Sequence, residues 1–164
     1  MLANVGSVVT EWDIVLRVLG AAGMAALVGY DRAVADKPAG VRTHMLVGAG
    51  SALFTGVTVL LATDVESFGA QAAKIDVSRI AAGIVTGVGF LGAGAIIMRG
   101  DRVTGLTTAA GIWVVAAIGV SVGFGFWLMG LMTTVLVLLA HGSAFLLDRR
   151  GSTGDDGEGS DPTR

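Results

Sequence analysis

The chain has 164 residues, 53% of them hydrophobic, with 26 glycines, two prolines and no cysteine, and its mean hydropathy is +0.76. So much apolar surface excludes an ordinary soluble domain of this length and points to a polytopic membrane protein; the missing cysteines exclude disulfides and thiolate metal sites. The formal charge of −2 says little about the body of the chain, because four of the thirteen acids (Asp155, Asp156, Glu158, Asp161) fall in the last ten residues.

Five apolar segments, at about 13–30, 44–62, 80–98, 104–122 and 126–147, predict an all-α membrane bundle of five spans within a transmembrane domain of residues 1–148. The first holds Arg17 near its start, where a long side chain reaches the headgroups at small cost. Glu11 and Asp13 precede it, the reverse of the basic leader of a signal peptide, so this segment is expected to stay as a span. The third contains TGVGFLGAGA, residues 86–95, whose Gly87, Gly89 and Gly92 fit G-x-G-x-x-G. A dinucleotide fingerprint needs an acid about 20 residues on, yet that region reads TTAAGI, and residues 80–98 carry no charge at all. The glycines therefore belong inside a membrane helix. Gly83 and Gly87, one turn apart, with Gly94 further on and Gly89 between, give a smooth helix expected to sit at the centre of the bundle with neighbours on several faces. Lining of a narrow pore is the alternative. Gly48 with Ala52, and Gly119 with Gly123, repeat the small-xxx-small spacing elsewhere.

From residue 103 to 147 no Asp, Glu, Lys or Arg occurs, roughly twice one span. GVSVGFGFW, residues 119–127, supplies the expected turn through Gly119, Gly123 and Gly125, with Trp127 as an interfacial anchor. His141 is the only ionisable residue in the last span and reads as a neutral histidine bonded across the bundle rather than a proton relay. Residues 149–164 lack apolar side chains and read as a disordered cytoplasmic tail.

Basic residues fix the expected orientation. With the N-terminus outside, Arg32, Lys37, Arg42, Arg99, Arg102, Arg149 and Arg150 face the cytoplasm, and only Lys74 and Arg79 face out, which predicts N-out, C-in. The cytoplasmic face then gathers Asp31, Arg32, Arg42, Thr43, His44, Arg99, Thr107 and Thr108. The threonines are also ordinary helix-capping candidates, and Asp31 with Arg42 or Arg99 would make a structural ion pair. At the outer face, Asp76 reads first as a helix cap ahead of Arg79, and second as a metal ligand. Gly40-Val-Arg-Thr43 and Gly105-Leu-Thr-Thr108 open two spans alike, which suggests a parallel repeat of spans 1–2 and 3–4.

Classical catalysis finds little to work with: two histidines in different spans, no paired carboxylates inside the membrane, no H-E-x-x-H and no G-x-x-x-x-G-K. Magnesium transport would ordinarily show an acid within a span, and spans two to five have none.

The stretches YDR…KPAGVRTHMLVGAGSALFT, DVSRIAAGIVTGVGFLGAGAII and VTGLTTAAGIWVVAAIGVSVGFG resemble the MgtC/SapB family of bacterial and archaeal inner-membrane proteins, over about residues 14–147. The resemblance implies a multi-pass domain of about five helices in the plasma membrane, with a part in adaptation to magnesium limitation and envelope stress and in virulence; one member of the family restrains the F-type ATP synthase. An old label of magnesium-transport ATPase finds no nucleotide motif here. The family motif falls on Asp31, Arg32, Gly40, Arg42, Thr43, His44, Asp76, Arg79, Gly87, Gly89, Gly92, Gly94, Gly105, Thr107 and Thr108. Many members carry an ACT-like C-terminal domain where this chain has its short acidic tail, and Asp31 stands where glutamate is more common. The expectation is a non-enzymatic membrane protein without a cofactor and without a nucleic-acid partner, working through contacts with another membrane protein or a second copy. A small oligomeric cation transporter, with a path past Asp31, Arg42, His44, Asp76 and Thr107, is the alternative.

Overall fold

A computed structural model describes residues 9–63 and 76–151, except the side chains of Val77 and of residues 143–151. Its elements are α1 (Glu11–Val34), α2 (Val41–Thr63), α3 (Val77–Gly94), β1 (Ile97–Arg99), β2 (Arg102–Thr104), α4 (Leu106–Gly123) and α5 (Trp127–Gly151). By length and composition α1, α2 and α4 are able to cross a membrane, while the described apolar stretches of α3 and α5 are shorter. Asp31 near the end of α1 meets His141 late in α5, and Arg17 near the start of α1 meets Gly123 at the end of α4. Successive helices therefore run alternately up and down.

Local signals explain most helix ends. Thr10 caps α1 through a reciprocal box: its hydroxyl accepts from the Asp13 amide at 3.3 Å, and the Asp13 carboxylate accepts from the Thr10 amide at 2.9 Å. The buried residues of α1 (Ile14, Ala21, Ala25, Val28, Arg32) recur every three, four or seven positions and form one stripe. On α2 the matching stripe is His44, Gly48, Ser51, Ala52, Thr55 and Thr58.

In lipid the hydrophobic effect does not draw helices together, so close backbone approach between small residues carries the association. A methyl placed on Gly48 would lie 2.7 Å from the Ala25 Cβ, and one on Gly56 would lie 2.9 Å from Ile14 Cγ2, which locks α1 against α2. On α4, a methyl on Gly119 would run into the Gly48 carbonyl, and one on Gly123 would lie 2.7 Å from the Thr55 Cβ and 2.8 Å from the Ala52 carbonyl oxygen. Three buried clusters stack along the bundle: Ala21, Ala52, Ile118 and Val122; Ala25, Val28, Val115 and Val137; Ala39, Val88, Ile112 and Ala116. Each contains residues of α4, which packs against all four other helices.

This corrects the expected centre. The middle of the bundle is α4, not α3, which packs chiefly on α4 and α2. Gly83, Gly87, Gly89 and Gly94 are exposed, and a methyl on any of them would meet nothing within 4 Å. Of the five glycines expected to pack α3, Gly92 alone is buried, against Ala109 of α4. The small-residue spacing is the same on α3 and α4; the side chains around it decide which face is used.

The third and fourth predicted spans are corrected as well. Helix α3 ends at Gly94, and Ile97, Met98 and Thr104, assigned to span ends, instead join Val103 in an exposed antiparallel hairpin in which Arg99 pairs with Arg102. Gly100, at φ 59°, takes the first turn position, where positive φ is strained for residues with a Cβ. Between α4 and α5 the turn is Phe124–Phe126, with Gly125 at φ 90°; Gly119 and Gly123 are helical. Helix α5 continues through Arg149 and Arg150 to Gly151, so the tail boundary at 149 is also corrected, and residues 152–164 lie outside the described residues.

Candidate functional site

The polar residues at the end of the bundle where α1 and α5 stop and α2 and α4 begin form the candidate site. Asp31 and Arg32 occupy the last turn of α1. Burial of Gly29 one turn back lets α2 start directly against this helix, since a methyl there would lie 2.7 Å from the Val41 Cα and 3.0 Å from the His44 Cβ. The link between α1 and α2 turns through Asp36 at φ 53°, a left-handed conformation that aspartate tolerates better than most residues.

One oxygen organises the site. Asp31 Oδ2 accepts from Arg32 Nε at 2.9 Å, from Arg32 Nη2 at 2.7 Å and from His141 Nδ1 at 3.1 Å. The Arg32 and His141 side chains are each 8% exposed and the Asp31 side chain 31%. A guanidinium so far out of water needs a counter-charge, and the adjacent carboxylate supplies it while joining α1 to α5. The proposed ion pair of Asp31 with Arg42 or Arg99 is thus corrected: its cation is the neighbouring Arg32. His141 bonds across the bundle, as read from the sequence, although it was left out of the cytoplasmic cluster. Its being the lone ionisable residue in a long apolar segment was the available signal.

His44, fully buried, donates from Nδ1 to the Gly40 carbonyl at 2.9 Å. Its Nε2 has no hydrogen-bond partner among the described residues and faces Gly111 of α4, where a methyl would sit 3.6 Å away. A buried acceptor left bare costs about 1–3 kcal/mol, which small neighbours such as Gly111 do nothing to relieve. The remaining cluster members disperse. Arg42, Thr43, Arg99 and Thr107 are exposed, and Thr108 is buried at the start of α4. Thr107 and Thr108 line a cleft of about 470 Å³ with Asp36, Lys37, Pro38 and the hairpin. Neither threonine caps α4; Gly105 occupies that position at φ 89°, its Cα packed so closely on the Ala95 carbonyl that no side chain fits. Gly40 and Gly105 play like parts at two helix entrances, their carbonyls accepting from the His44 and Ala109 amides at 3.2 and 2.9 Å.

At the opposite end, Asp76 caps α3. Its Oδ1 accepts from the Ser78 amide at 3.0 Å and from the Ser78 hydroxyl at 2.6 Å, and these bonds hold its carboxyl below the usual carboxylate range. Arg79 lies exposed one residue beyond Ser78. Arg17 turns inward instead of reaching outward for headgroups: its Nη1 donates to the Gly123 carbonyl at 2.9 Å, placing a cation on the C-terminal end of α4, where the helix dipole favours it. Among the described residues no three His, Asp or Glu side chains converge as a metal site.

Comparison with known proteins identifies the family of the chain. The model of the MgtC family matches residues 18–149. The chain is 46% identical over 127 residues to a protein of Escherichia coli (strain K12) named putative magnesium transporter YhiD, covering 77% of this chain and 58% of that one. It is 44% identical to protein SrpB of Synechococcus elongatus, covering 75% and 70%, and 40% identical to protein MgtC of Salmonella typhimurium (strain 14028s), covering 77% and 50%. The chain thus spans between about half and about two thirds of the length of these relatives. No solved structure matches it significantly.

Proposed function

Because the chain belongs to the MgtC family, we propose that it is an inner-membrane protein of magnesium homeostasis and stress adaptation. In this reading it is not an enzyme and acts through helix contacts with another membrane complex, the F-type ATP synthase being the example the family resemblance brings forward. The observation that carries this reading is the engagement of Asp31. The acid at the centre of the polar cluster directs one oxygen to Arg32 and His141 and so joins α1 to α5. Magnesium binds through carboxylates while retaining waters, and a carboxylate already neutralised by a guanidinium is a poor ligand for it. The outer surfaces of the bundle, by contrast, carry exposed Leu16, Leu19 and Leu27 on α1 and Leu128, Leu136 and Leu139 on α5, available to lipid or to a partner helix.

The second reading is a small cation transporter. A relative is named a putative magnesium transporter, and the Asp31 side chain retains 31% exposure. Magnesium uptake into sealed liposomes separates the two, using the purified protein beside Asp31→Asn and Asp76→Ala variants whose folding is checked by thermal unfolding. Flux that either substitution abolishes overturns the partner reading; no flux from correctly inserted, folded protein supports it.

A further inference from the structure

Between α2 and α3 lies a groove of about 540 Å³ that the polar cluster does not touch. Leu46, Phe54, Ile80 and Leu91 form its walls, and Gly50, Gly83 and Gly87 form its floor. A methyl on any of these three glycines would meet nothing within 4 Å, so the missing side chains leave room that no part of the described chain fills. Arg79, at one end, is the only ionisable residue in the lining among the described residues. From Arg79 to Leu91 is twelve residues of helix, roughly 18 Å, close to the half-thickness of a hydrocarbon core of about 30 Å.

We propose that this groove seats one acyl chain of a phospholipid, with the phosphate on the Arg79 guanidinium. Three features select that occupant. The length suits a chain from a single leaflet. Apart from the buried Ser51, the lining between its ends is apolar, as an acyl chain requires. The one cation lies at the end where a headgroup would sit, in the guanidinium form suited to a phosphate. A second copy packing through the α3 glycines would bury Arg79 against its own symmetry mate unless an anion intervened, which makes it the weaker occupant. The glycines that leave α3 without a neighbour on this face thus acquire a role: they hold the groove open for lipid.

The test uses the full chain in detergent, titrated with dioleoylphosphatidylglycerol and with dioleoylglycerol, which has the same chains and no phosphate, and read by native mass spectrometry. One phosphatidylglycerol is expected to bind, in clear preference to the diacylglycerol. Gly83→Leu/Gly87→Leu fills the floor from positions where an added Cβ meets nothing within 4 Å, and is expected to weaken phospholipid binding by about tenfold or more. Arg79→Gln should do the same, and Arg79→Lys should keep much of the binding; these exposed changes serve even if the double variant fails to fold. Equal binding of the two lipids, or binding unaffected by both Arg79→Gln and the double leucine variant, overturns the proposal. So does efficient disulfide dimer formation by Gly87→Cys, a clean probe in a chain without cysteine, if phospholipid binding persists in the dimer.

Discussion

Gly123→Ala tests whether α4 is the close-packed centre. The added methyl would lie 2.7 Å from the Thr55 Cβ and 2.8 Å from the Ala52 carbonyl oxygen, where ordinary contact is about 3.5–4.0 Å. Backbone cannot rotate away, so α2 and α4 must part by about 1 Å, and overpacking of this kind costs about 1–3 kcal/mol. Alanine recovers up to about 1 kcal/mol of helix propensity over glycine in a helix interior and less at Gly123, the last residue of α4, so a net loss of up to about 3 kcal/mol is expected. Gly87→Ala, inside α3, is the control: it takes the full propensity gain, and its methyl meets nothing within 4 Å. The difference between the two variants is then the strain, about 1–3 kcal/mol, plus at most about 1 kcal/mol of unequal propensity. Reversible unfolding in mixed detergent micelles, followed by fluorescence of Trp12, Trp113 and Trp127, measures it. A Gly123→Ala protein as stable as Gly87→Ala refutes the placement of α4.

Asp31→Asn removes the counter-charge of the buried Arg32 and should destabilise by about 3–5 kcal/mol, with Asp31→Asn/Arg32→Gln costing less than the two single changes together; additive losses in a double-mutant cycle would count against the pairing. Gly105→Ala forces a Cβ into a left-handed position against the Ala95 carbonyl, and the conformational part alone is worth about 1–2 kcal/mol; an unchanged melting temperature would exclude this geometry. Because the Asp76 carboxyl is held below its ordinary value by Ser78, its contribution to the start of α3 is complete above the usual carboxylate range and is lost as pH falls through the depressed value. Hydrogen exchange at the first amides of α3, corrected for the intrinsic pH dependence, should accordingly lose protection as pH falls below the usual carboxylate range, and Asp76→Asn should remove that step.

The helical bundle was readable because long uncharged runs leave few alternatives in a membrane, and the two histidines and Asp31 stood out as rare polar residues within them. The hairpin was not readable in the same way. Ile97, Met98, Val103 and Thr104 continue the hydropathy of α3 and α4, so only the Gly-Asp pair at 100–101, flanked by residues of strand character, marked the interruption. The centre of the bundle was misassigned for a related reason. Glycine spacing identifies a smooth face but not the neighbour that fills it; Gly119 and Gly123 meet Gly48, Ser51, Ala52 and Thr55, whereas Gly83 and Gly87 meet only open space. The pairing of Asp31 with Arg32 and His141 depends on helix rotation and a separation of 110 residues, neither of which a single sequence displays.

Arg17 holds the beginning of α1 to the end of α4, and Asp31 holds the end of α1 to α5, so α1 is pinned near both extremities by polar bonds set in an apolar bundle. Helix α3 has no such bond to another helix among its described side chains and rests on the others through van der Waals contact alone. The molecule is in this sense a frame clamped along α1, and separating α3 from its neighbours would break neither of the polar bonds at the two ends of that helix.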